Sequence, residues 1–287
     1  MHAVLRAIVE PGFFSSSSVQ LALGVGAIVA VVAATAGVFT VIRGQAFAGE
    51  ALGDIGAAGG SSAYLAAVPA LWGFLWSSIA AAGAMELIGI QRPRGRDVAT
   101  GIVLGAGFGL AALLFYLGTL DTANTGAIPT IMFGSIFGLS SSTLPLALGF
   151  GALAVALIAL VYRPLLLTSL SPELAAARGI EVRLVGLLYL LAMAIAVALS
   201  AETIGAILST ALLVGPAATA LRLSRRPAHA IAIAGVIGVA ATWLGLLLSY
   251  DSYDWSAQHR FWPPSFMIVA LVLLAYLGSG AIARRRS

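Results

Sequence analysis

Two acidic residues lie within an otherwise apolar segment of this sequence. Glu50 and Asp54 occur four residues apart in AFAGEALGDIGAAGG (46–60), so that on a helix their carboxylates share one face. A charge inside a bilayer costs roughly 2.5–3.5 kcal/mol or more, so such a pair normally faces a cavity or a partner. Neighbouring carboxylates repel each other, and a divalent cation relieves the repulsion. The pair therefore predicts a site on a cation pathway, or else solvated acids at a membrane edge near Arg43.

Two further segments carry candidate functional residues. Glu202, in LSAETIG (199–205), either guards an outer entrance between two helices or is an ordinary loop acid. The segment TSLSPELAAARGIEV (168–182) has the signature of a helix start at Ser171, Pro172 and Glu173. A short helix between two spans could dock on another protein, although a plain connecting loop fits the same pattern. Glu86 lies one turn from a run of arginines, which favours an ion pair at the membrane edge.

Several kinds of site are absent from the sequence. It contains no G-x-x-x-x-G-K-[ST] and no H-E-x-x-H, and it has no cysteine, so P-loop nucleotide binding, this zinc-protease motif and thiolate chemistry are excluded. No local Ser-His-Asp signature occurs, and the three histidines are far apart in sequence. The glycine-rich run GAAGGSS (56–62) lacks the P-loop lysine and is interpreted as close packing between helices.

The composition indicates how these residues are positioned. The chain is 60% hydrophobic and only 9% charged, whereas a soluble domain carries about 25% charged residues. We therefore expect an all-α, polytopic transmembrane bundle forming one domain over 1–287, with 1–18 as an amphipathic N-terminal segment. About nine spans are predicted, or eight if one short segment is re-entrant: 19–42, 45–66, 68–90, 98–120, 143–162, 183–200, 203–221, 228–250 and 264–283.

The arginines predict the orientation. With a change of side at each span, thirteen of the fifteen fall on one side, Arg6 and Arg260 being the exceptions. The positive-inside rule makes that side cytoplasmic, with the N-terminus outside, the C-terminus inside and the chain in the plasma (inner) membrane. The aromatic stretch 250–262 then lies at the outer interface. The arginines also make the chain basic, with a pI near 9.8. Because they lie at the ends of apolar runs, we attribute this charge to membrane topology, and we expect no nucleic-acid partner.

Four motifs, in order along the chain, resemble a known family. They are VIRGQAFAGEALGDIGAAGG (41–60), similar to V-L-R-x-x-x-F-x-G-D-A-L-S-H-A-x-L-P-G; MFGSIFGLS (132–140), similar to F-G-S-I-L-x-[VL]-S; SPELAAARGI (171–180), similar to D-P-E-x-A-x-A-x-G; and IGAILSTALLVGPAATA (204–220), similar to V-G-x-L-L-V-x-A-L-L-x-x-P-A-A-T-A. The pattern is that of permeases of zinc/manganese/iron ABC importers, the ABC-3 family. Between 41 and 220 the motifs match this family, and elsewhere the match is in hydropathy alone.

The resemblance implies a transport subunit rather than an enzyme. Two separate cytoplasmic ATPase subunits would hydrolyse ATP, an extracytoplasmic binding protein would deliver the metal, and a second permease copy would complete a homodimer. The cargo would be a manganese, zinc or iron ion, free or chelated, with no tightly bound cofactor. The resemblance places Gly215 and Pro216 after an outer gate, where they shape the helix. It assigns to the ATPase-coupling helix (168–182) Ser171, Pro172, Glu173, Ala175, Arg178 and Gly179.

The sequence departs from the family pattern at the acid pair. Glu50 stands where the family has Asp, and Asp54 stands where the family typically has His. Carboxylate in place of imidazole favours oxygen-preferring cations such as manganese over zinc, although carboxylates also bind zinc. The metal therefore stays open at this point, as does whether the pair contacts the cargo.

A rival hypothesis is a proton-coupled secondary transporter that uses Glu50, Asp54 and Glu202. Such transporters are commonly built from internal repeats, and no repeat is evident in this sequence. It also predicts uptake that needs a proton gradient and no ATPase. An intramembrane enzyme would need a catalytic constellation within the spans, and two acids alone do not provide one.

Overall fold

A computed structural model describes residues 13–91, 93–120, 127–252 and 262–284. In these ranges the regular structure is all helical, with short turns and connections between the helices, and contains no β-strand. Two short 3₁₀ turns, Phe13–Ser15 and Ile136–Gly138, accompany the α-helices. The α-helices are α1 (Ser17–Ile42), α2 (Ala46–Leu65), α3 (Ala70–Ile88), α4 (Pro93–Leu120), α5 (Ala127–Phe133), α6 (Thr143–Leu160), α7 (Tyr162–Leu170), α8 (Pro172–Ala177), α9 (Val182–Ile204), α10 (Ala206–Leu223), α11 (Pro227–Asp251) and α12 (Pro264–Arg284).

The predicted spans correspond to helices of the structure, which confirms the all-α transmembrane fold. Seven helices of the described ranges are long and apolar enough to cross a membrane: α1, α3, α4, α6, α9, α10 and α11. The acids and glycines of α2 make it less apolar, and the apolar part of α12 that is described, Pro264–Gly280, is shorter. Of the N-terminal segment predicted over 1–18, residues 1–12 lie outside the described ranges, whereas Ser17 and Ser18 already belong to α1.

Helix α6 ends earlier than predicted. The span predicted over 143–162 stops at Leu160, and a separate helix, α7, begins at Tyr162. Pro164 explains the break, because a proline has no N–H to donate to the carbonyl four residues earlier, that of Leu160, and its ring crowds that carbonyl. As a result α7 forms a distinct element that leads directly into α8.

The core of the bundle is formed by α1 and α9. Most residues of both helices are buried, and α9 packs against α1, α3, α6 and α10. By contrast α4 and α6 are mostly exposed along their length and present apolar side chains such as Leu113 and Leu153 outward. In a bilayer these side chains meet lipid, so their exposure has no energetic cost.

Glycines allow α2 and α3 to pack with their backbones almost in contact. A Cβ atom at Gly59 would overlap the Gly73 carbonyl and the Ser77 side chain, and one at Gly60 would lie 2.8 Å from the ring of Phe74. Small residues at such positions let neighbouring helices approach closely enough for dispersion contacts to hold them together. The interpretation of GAAGGSS as a helix-packing segment is thus confirmed.

One end of the bundle gathers several of the arginines, and we name it the arginine-rich end after Arg43, Arg96 and Arg183. Arg96 Nη1 donates to the Arg43 carbonyl at 2.9 Å, and Arg183 Nε lies 3.3 Å from Glu86 Oε1. An ion pair at Glu86 was predicted and is present: within the described part of the chain its partner is Arg183 of α9, and Glu86 is buried. Five of the fifteen arginines lie outside the described residues: Arg6, Arg92, Arg260, Arg285 and Arg286.

At the opposite end two glycines bring distant segments into backbone contact. Gly134 follows α5 with φ +76°, and Gly205 separates α9 from α10 with φ +92°. A Cβ on Gly134 would lie 2.6 Å from the Gly205 nitrogen, and one on Gly205 would lie 2.6 Å from the Gly134 nitrogen. We call this contact the glycine crossing. Of the aromatic stretch 250–262, residues 253–261 lie outside the described ranges, and Tyr250 packs against Phe13 at this end with ring centroids 5.2 Å apart.

Candidate functional site

Glu50 faces a cavity between α2, α10 and α12. This cavity has a volume of about 540 Å³ and is lined mainly by apolar side chains, with Glu50, Thr210 and Tyr276 as polar members. The hydroxyl of Thr210 is buried and has no hydrogen-bond partner among the described residues. An apolar cavity with few convergent oxygen atoms is the usual setting of a small-ligand site. It fits the prediction that Glu50 faces a pathway.

Asp54 lies one turn after Glu50 and is directed toward α4. A Cβ built on Gly107 would be 2.9 Å from the Asp54 Cβ, so the absence of a side chain at Gly107 leaves room for the acid. The Asp54 Oδ2 atom is buried and has no hydrogen-bond partner within the described ranges. Buried carboxylate oxygens are normally paired, so an unpaired one indicates a position that a cation or proton can occupy.

Glu202 does not join the acid pair. It is half-buried in the last turn of α9, so the interpretation as a loop acid is wrong: α9 continues to Ile204 and turns only at Gly205. No group of three or more His, Cys, Asp or Glu side chains within the described residues is close enough to hold a metal ion. Among the described residues of one chain, the acids at this site are thus at most the two carboxylates of α2.

Gly215 lines the α10 wall of the cavity, and Pro216 follows it within the helix. A Cβ on Gly215 would overlap the Val272 side chain of α12, so glycine permits the close approach of α10 and α12. Pro216 is buried inside α10, which continues through it to Leu223. The missing N–H of Pro216 leaves the backbone of α10 less constrained beside the cavity. Thr219 Oγ1 donates to the Gly215 carbonyl at 2.8 Å and stabilises the following turn.

The predicted helix start at Ser171 is confirmed, since α8 is a short helix with defined caps at both ends. Ser171 Oγ accepts a hydrogen bond from the Leu174 N–H at 3.2 Å, and Pro172 opens the helix. Its C-terminus closes with Ile180 N–H donating to the Ala175 carbonyl at 3.0 Å and Gly179 N–H donating to the Ala176 carbonyl at 2.9 Å. This is the Schellman pattern, and Gly179 has the positive φ, +77°, that it requires.

One side of α8 is anchored and the rest is free to contact another molecule. Ala175 is fully buried, whereas Glu173, Leu174, Arg178 and Gly179 are exposed. The exposed surface combines both charges with an apolar residue, and the exposed Leu170 extends it. A rigid, exposed helix of this kind is suited to dock in a cleft on a partner.

A polar network around Arg43 surrounds a cavity of about 230 Å³ beside α8. Its lining includes Arg43, Gln45, Gln91, Arg96 and Thr168. Burial lowers the pKa of the Arg43 guanidinium from its ordinary value, and the neighbouring Arg96 lowers it further. The sequence predicted Arg43 solely as a topology marker, and its partners could not be found from sequence because Thr168 is 125 residues away. Its place in the motif VIRGQAF was the one available signal.

A family model matches this chain along nearly its whole length. The model of the ABC 3 transport family aligns with residues 15–280. The chain belongs to the ABC-3 family. It is thus an ABC transporter permease, a multi-pass protein of the plasma membrane, and this membership favours the permease over a proton-coupled secondary transporter.

Individual relatives agree with this assignment. The chain is 30% identical over 240 residues to the manganese transport system membrane protein MntC of Halalkalibacterium halodurans, covering 83% of this chain and 81% of MntC. It is 27% identical over 233 residues to a probable iron transport system membrane protein of Haemophilus influenzae, covering 80% and 84% of the two chains. The fold is similar to that of PsaBC from Streptococcus pneumoniae in complex with Fab, with a TM-score of 0.78, 25% identity, and coverage of 93% and 92%.

Proposed function

We propose that this ABC-3 permease moves a divalent transition-metal ion into the cell and that the ion is manganese before iron or zinc. The observation that carries the proposal is the acid pair of α2, with Glu50 on a cavity and Asp54 holding a buried, unpaired oxygen. Carboxylate oxygens suit manganese, and neither residue is the imidazole that would favour zinc. The names of the relatives, manganese and iron transport proteins, support the same cargo.

The site is built for passage rather than for retention. Two carboxylates one turn apart cannot form a closed cage, and the described residues of one chain add no third acid or histidine. A second copy of the permease would supply further ligands from its own α2. Partial coordination lets an ion enter and leave, as transport requires.

The arginine-rich end is cytoplasmic in this proposal, with the N-terminus outside and the C-terminus inside. Two ATPase subunits bind there, each receiving the exposed surface of one α8, and they hydrolyse the ATP that drives the cycle. A binding protein delivers the metal at the opposite end, near the glycine crossing and Glu202. The permease itself breaks no bond, and Pro216 shapes α10 beside the path.

Metal uptake by cells that lack their own manganese and zinc importers tests the proposal. The cells express the permease with its ATPase and binding protein, and uptake of radioactive manganese is measured with iron or zinc as competitors. We expect ATP-dependent manganese uptake, reduced at least about tenfold in the double variant Glu50→Gln/Asp54→Asn, because removing metal ligands costs at least as much as removing the groups around them. A matched control, Asp97→Asn, removes an exposed acid at the start of α4 and should leave uptake unchanged.

Two results would contradict the proposal. Uptake without any ATPase would refute ATP-driven import by this chain. Normal manganese uptake by the double variant, at equal amounts of assembled complex, would show that the acid pair does not act on the cargo.

A further inference from the structure

Arg43 joins four separate elements at the arginine-rich end. Its Nη1 donates to Thr168 Oγ1 at 3.2 Å and to Ser169 Oγ at 3.4 Å, both in the last turn of α7. Its Nε donates to Gln45 Oε1 at 3.3 Å, immediately before α2, and its Nη2 donates to Gln91 Oε1 at 2.8 Å, just after α3. Arg43 itself follows α1, so one guanidinium connects α1, α2, α3 and α7.

On one side of Arg43, α7 and α8 form a single rigid corner. Ser171 is the C-cap of α7, because its N–H donates to the Leu167 carbonyl at 3.0 Å. It is also the N-cap of α8, because its hydroxyl accepts a hydrogen bond from the Leu174 N–H. With one residue serving both helices, a displacement of α8 carries the end of α7 with it. Thr168 and Ser169, which hold Arg43, lie within one turn of this corner.

On the other side, Arg43 holds the first turn of the helix that bears the acid pair. Gln45 is buried, and its carbonyl accepts hydrogen bonds from the N–H groups of Ala48 and Gly49 at 3.0 and 3.2 Å. Glu50 follows about one and a half turns later, which is roughly 7–8 Å along the helix axis. A displacement of Gln45 therefore moves the first turn of α2 and, with it, the carboxylate of Glu50.

Side chains rather than close helix packing make this connection. The backbone of α7 packs against α8, α9 and the end of α6, and the guanidinium of Arg43 spans the remaining distance to α2. A guanidinium suits the task because it is planar and has five N–H groups in a fixed fork, so it can hold several acceptors in one geometry. A lysine at this position would carry the same charge but would lack the planar arrangement of N–H donors.

From these contacts we propose that Arg43 is a positioning residue that transmits displacement of the α7–α8 corner to α2, so that movement of the ATPase changes the position of the Glu50 carboxylate. The proposal rests on the proposed function, since it takes α8 as the helix that docks on the ATPase. It adds a specific route from that helix to the acid pair. The route consists of Thr168 and Ser169, then the Arg43 guanidinium, then Gln45.

The test measures metal transported per ATP hydrolysed by the permease–ATPase complex in proteoliposomes, with manganese and the binding protein outside. Arg43→Gln and the pair Thr168→Val/Ser169→Ala each break the link to α7 from opposite sides. We expect the complex to assemble and hydrolyse ATP, while manganese transported per ATP falls at least about fivefold, the lower end of typical couplings between sites. Combining all three substitutions should reduce the ratio no further than either alone, because both break the same link.

Two further variants separate this role from a simple charge effect. Arg43→Lys should also lower the ratio, because one ammonium group cannot hold all four acceptors. Arg163→Gln removes an equal charge from an exposed position of α7 and should leave the ratio at the wild-type value.

The possible outcomes distinguish this inference from the proposed function. If the wild-type complex shows no ATP-driven manganese uptake, the proposed function fails. If the wild type works, any of three results refutes the role of Arg43. These are a normal ratio of manganese transported per ATP in Arg43→Gln, an equal proportional loss of uptake and hydrolysis in Arg43→Gln, or a wild-type ratio in Arg43→Lys. Should Arg43→Gln fail to assemble, the Thr168→Val/Ser169→Ala variant decides, because a normal ratio there overturns the role and a reduced one supports it.

Discussion

The glycine crossing can be tested with the substitution Gly205→Ala. Gly205 has φ +92° and ψ 154°, a backbone conformation that essentially only glycine adopts. The added Cβ would overlap the Met132 carbonyl oxygen and lie 2.5 Å from the Phe133 carbonyl carbon. Both neighbours are backbone atoms, so they cannot rotate away as a side chain would.

The size of the effect follows from these two terms. Holding a residue with a side chain in this conformation costs about 1–3 kcal/mol. Forcing an extra carbon into a packed position costs about 1–3 kcal/mol more, because α5 must move away from the start of α10. We therefore expect the free energy of unfolding to fall by roughly 2–6 kcal/mol.

Thermal unfolding of the purified permease in detergent measures this loss. On the scale of domains of 150–250 residues, 1 kcal/mol corresponds to about 2–4 °C, so the melting temperature should fall by at least about 4 °C. The matched control is Gly235→Ala in α11, where nothing lies within 4 Å of the added Cβ. Alanine stabilises the interior of a helix by about 0.5–1 kcal/mol relative to glycine, so the control should melt at or slightly above the wild-type temperature.

A particular result would refute this reasoning. If Gly205→Ala and Gly235→Ala melt within about 2 °C of each other, the two backbones do not meet at Gly134 and Gly205 as described, because that difference corresponds to no more than about 1 kcal/mol.

Three further predictions concern packing and the exposed helix. Gly59→Leu should lower the melting temperature, because it forces α2 away from α3 at a cost of roughly 1–3 kcal/mol or more. Gly83→Leu is the control, because the added Cβ there has open space. Equal melting temperatures of the two variants would contradict the close packing of α2 and α3. Ser171→Ala removes the N-cap of α8, worth about 0.5–2 kcal/mol, and should lower the amount of manganese transported per ATP. Ser171→Asp keeps a capping oxygen and should keep the wild-type amount. Equal amounts of manganese per ATP in the two variants would show that the cap has no role in coupling. Gly179→Ala strains a left-handed residue by about 1–2 kcal/mol without any steric contact, so transport per ATP should fall and the melting temperature should fall by about 2–8 °C; an unchanged transport ratio would argue against docking by α8.

The sequence predicted the helices well wherever the signal is local. Apolar length placed the spans, and the pair Ser171–Pro172 placed the start of α8. The break after Leu160 also had a local signal, Pro164, although the hydropathy of 143–162 is continuous across it. The break between α9 and α10 was predicted between residues 200 and 203, and its actual place at Gly205 had no local signal, because the apolar helix can continue past Glu202 to Ile204.

The site was harder to predict because its contacts join residues distant in sequence. The spacing of Glu50 and Asp54 indicated one face of one helix, but the cavity at Glu50 depends on α10 and α12, and the space for Asp54 depends on Gly107. Glu202 has the same chemistry as these two acids, and its separation from them follows from the course of α9. The partners of Arg43 lie as many as 126 residues away, so no local pattern could reveal them.

Helix α9 runs from the arginine-rich end to the glycine crossing without a proline or a break, and it is buried along most of its length. Its 23 residues span about 34 Å, close to the thickness of the hydrocarbon core. Because α9 has no proline or other break at which to kink, we expect it to move as a rigid unit. A tilt of about 5° about the Arg183 end would displace the Gly205 end by about 3 Å. Under the proposed function, a small rotation produced on the side of α8 is thus enlarged into a displacement of this size at the opposite end of the bundle.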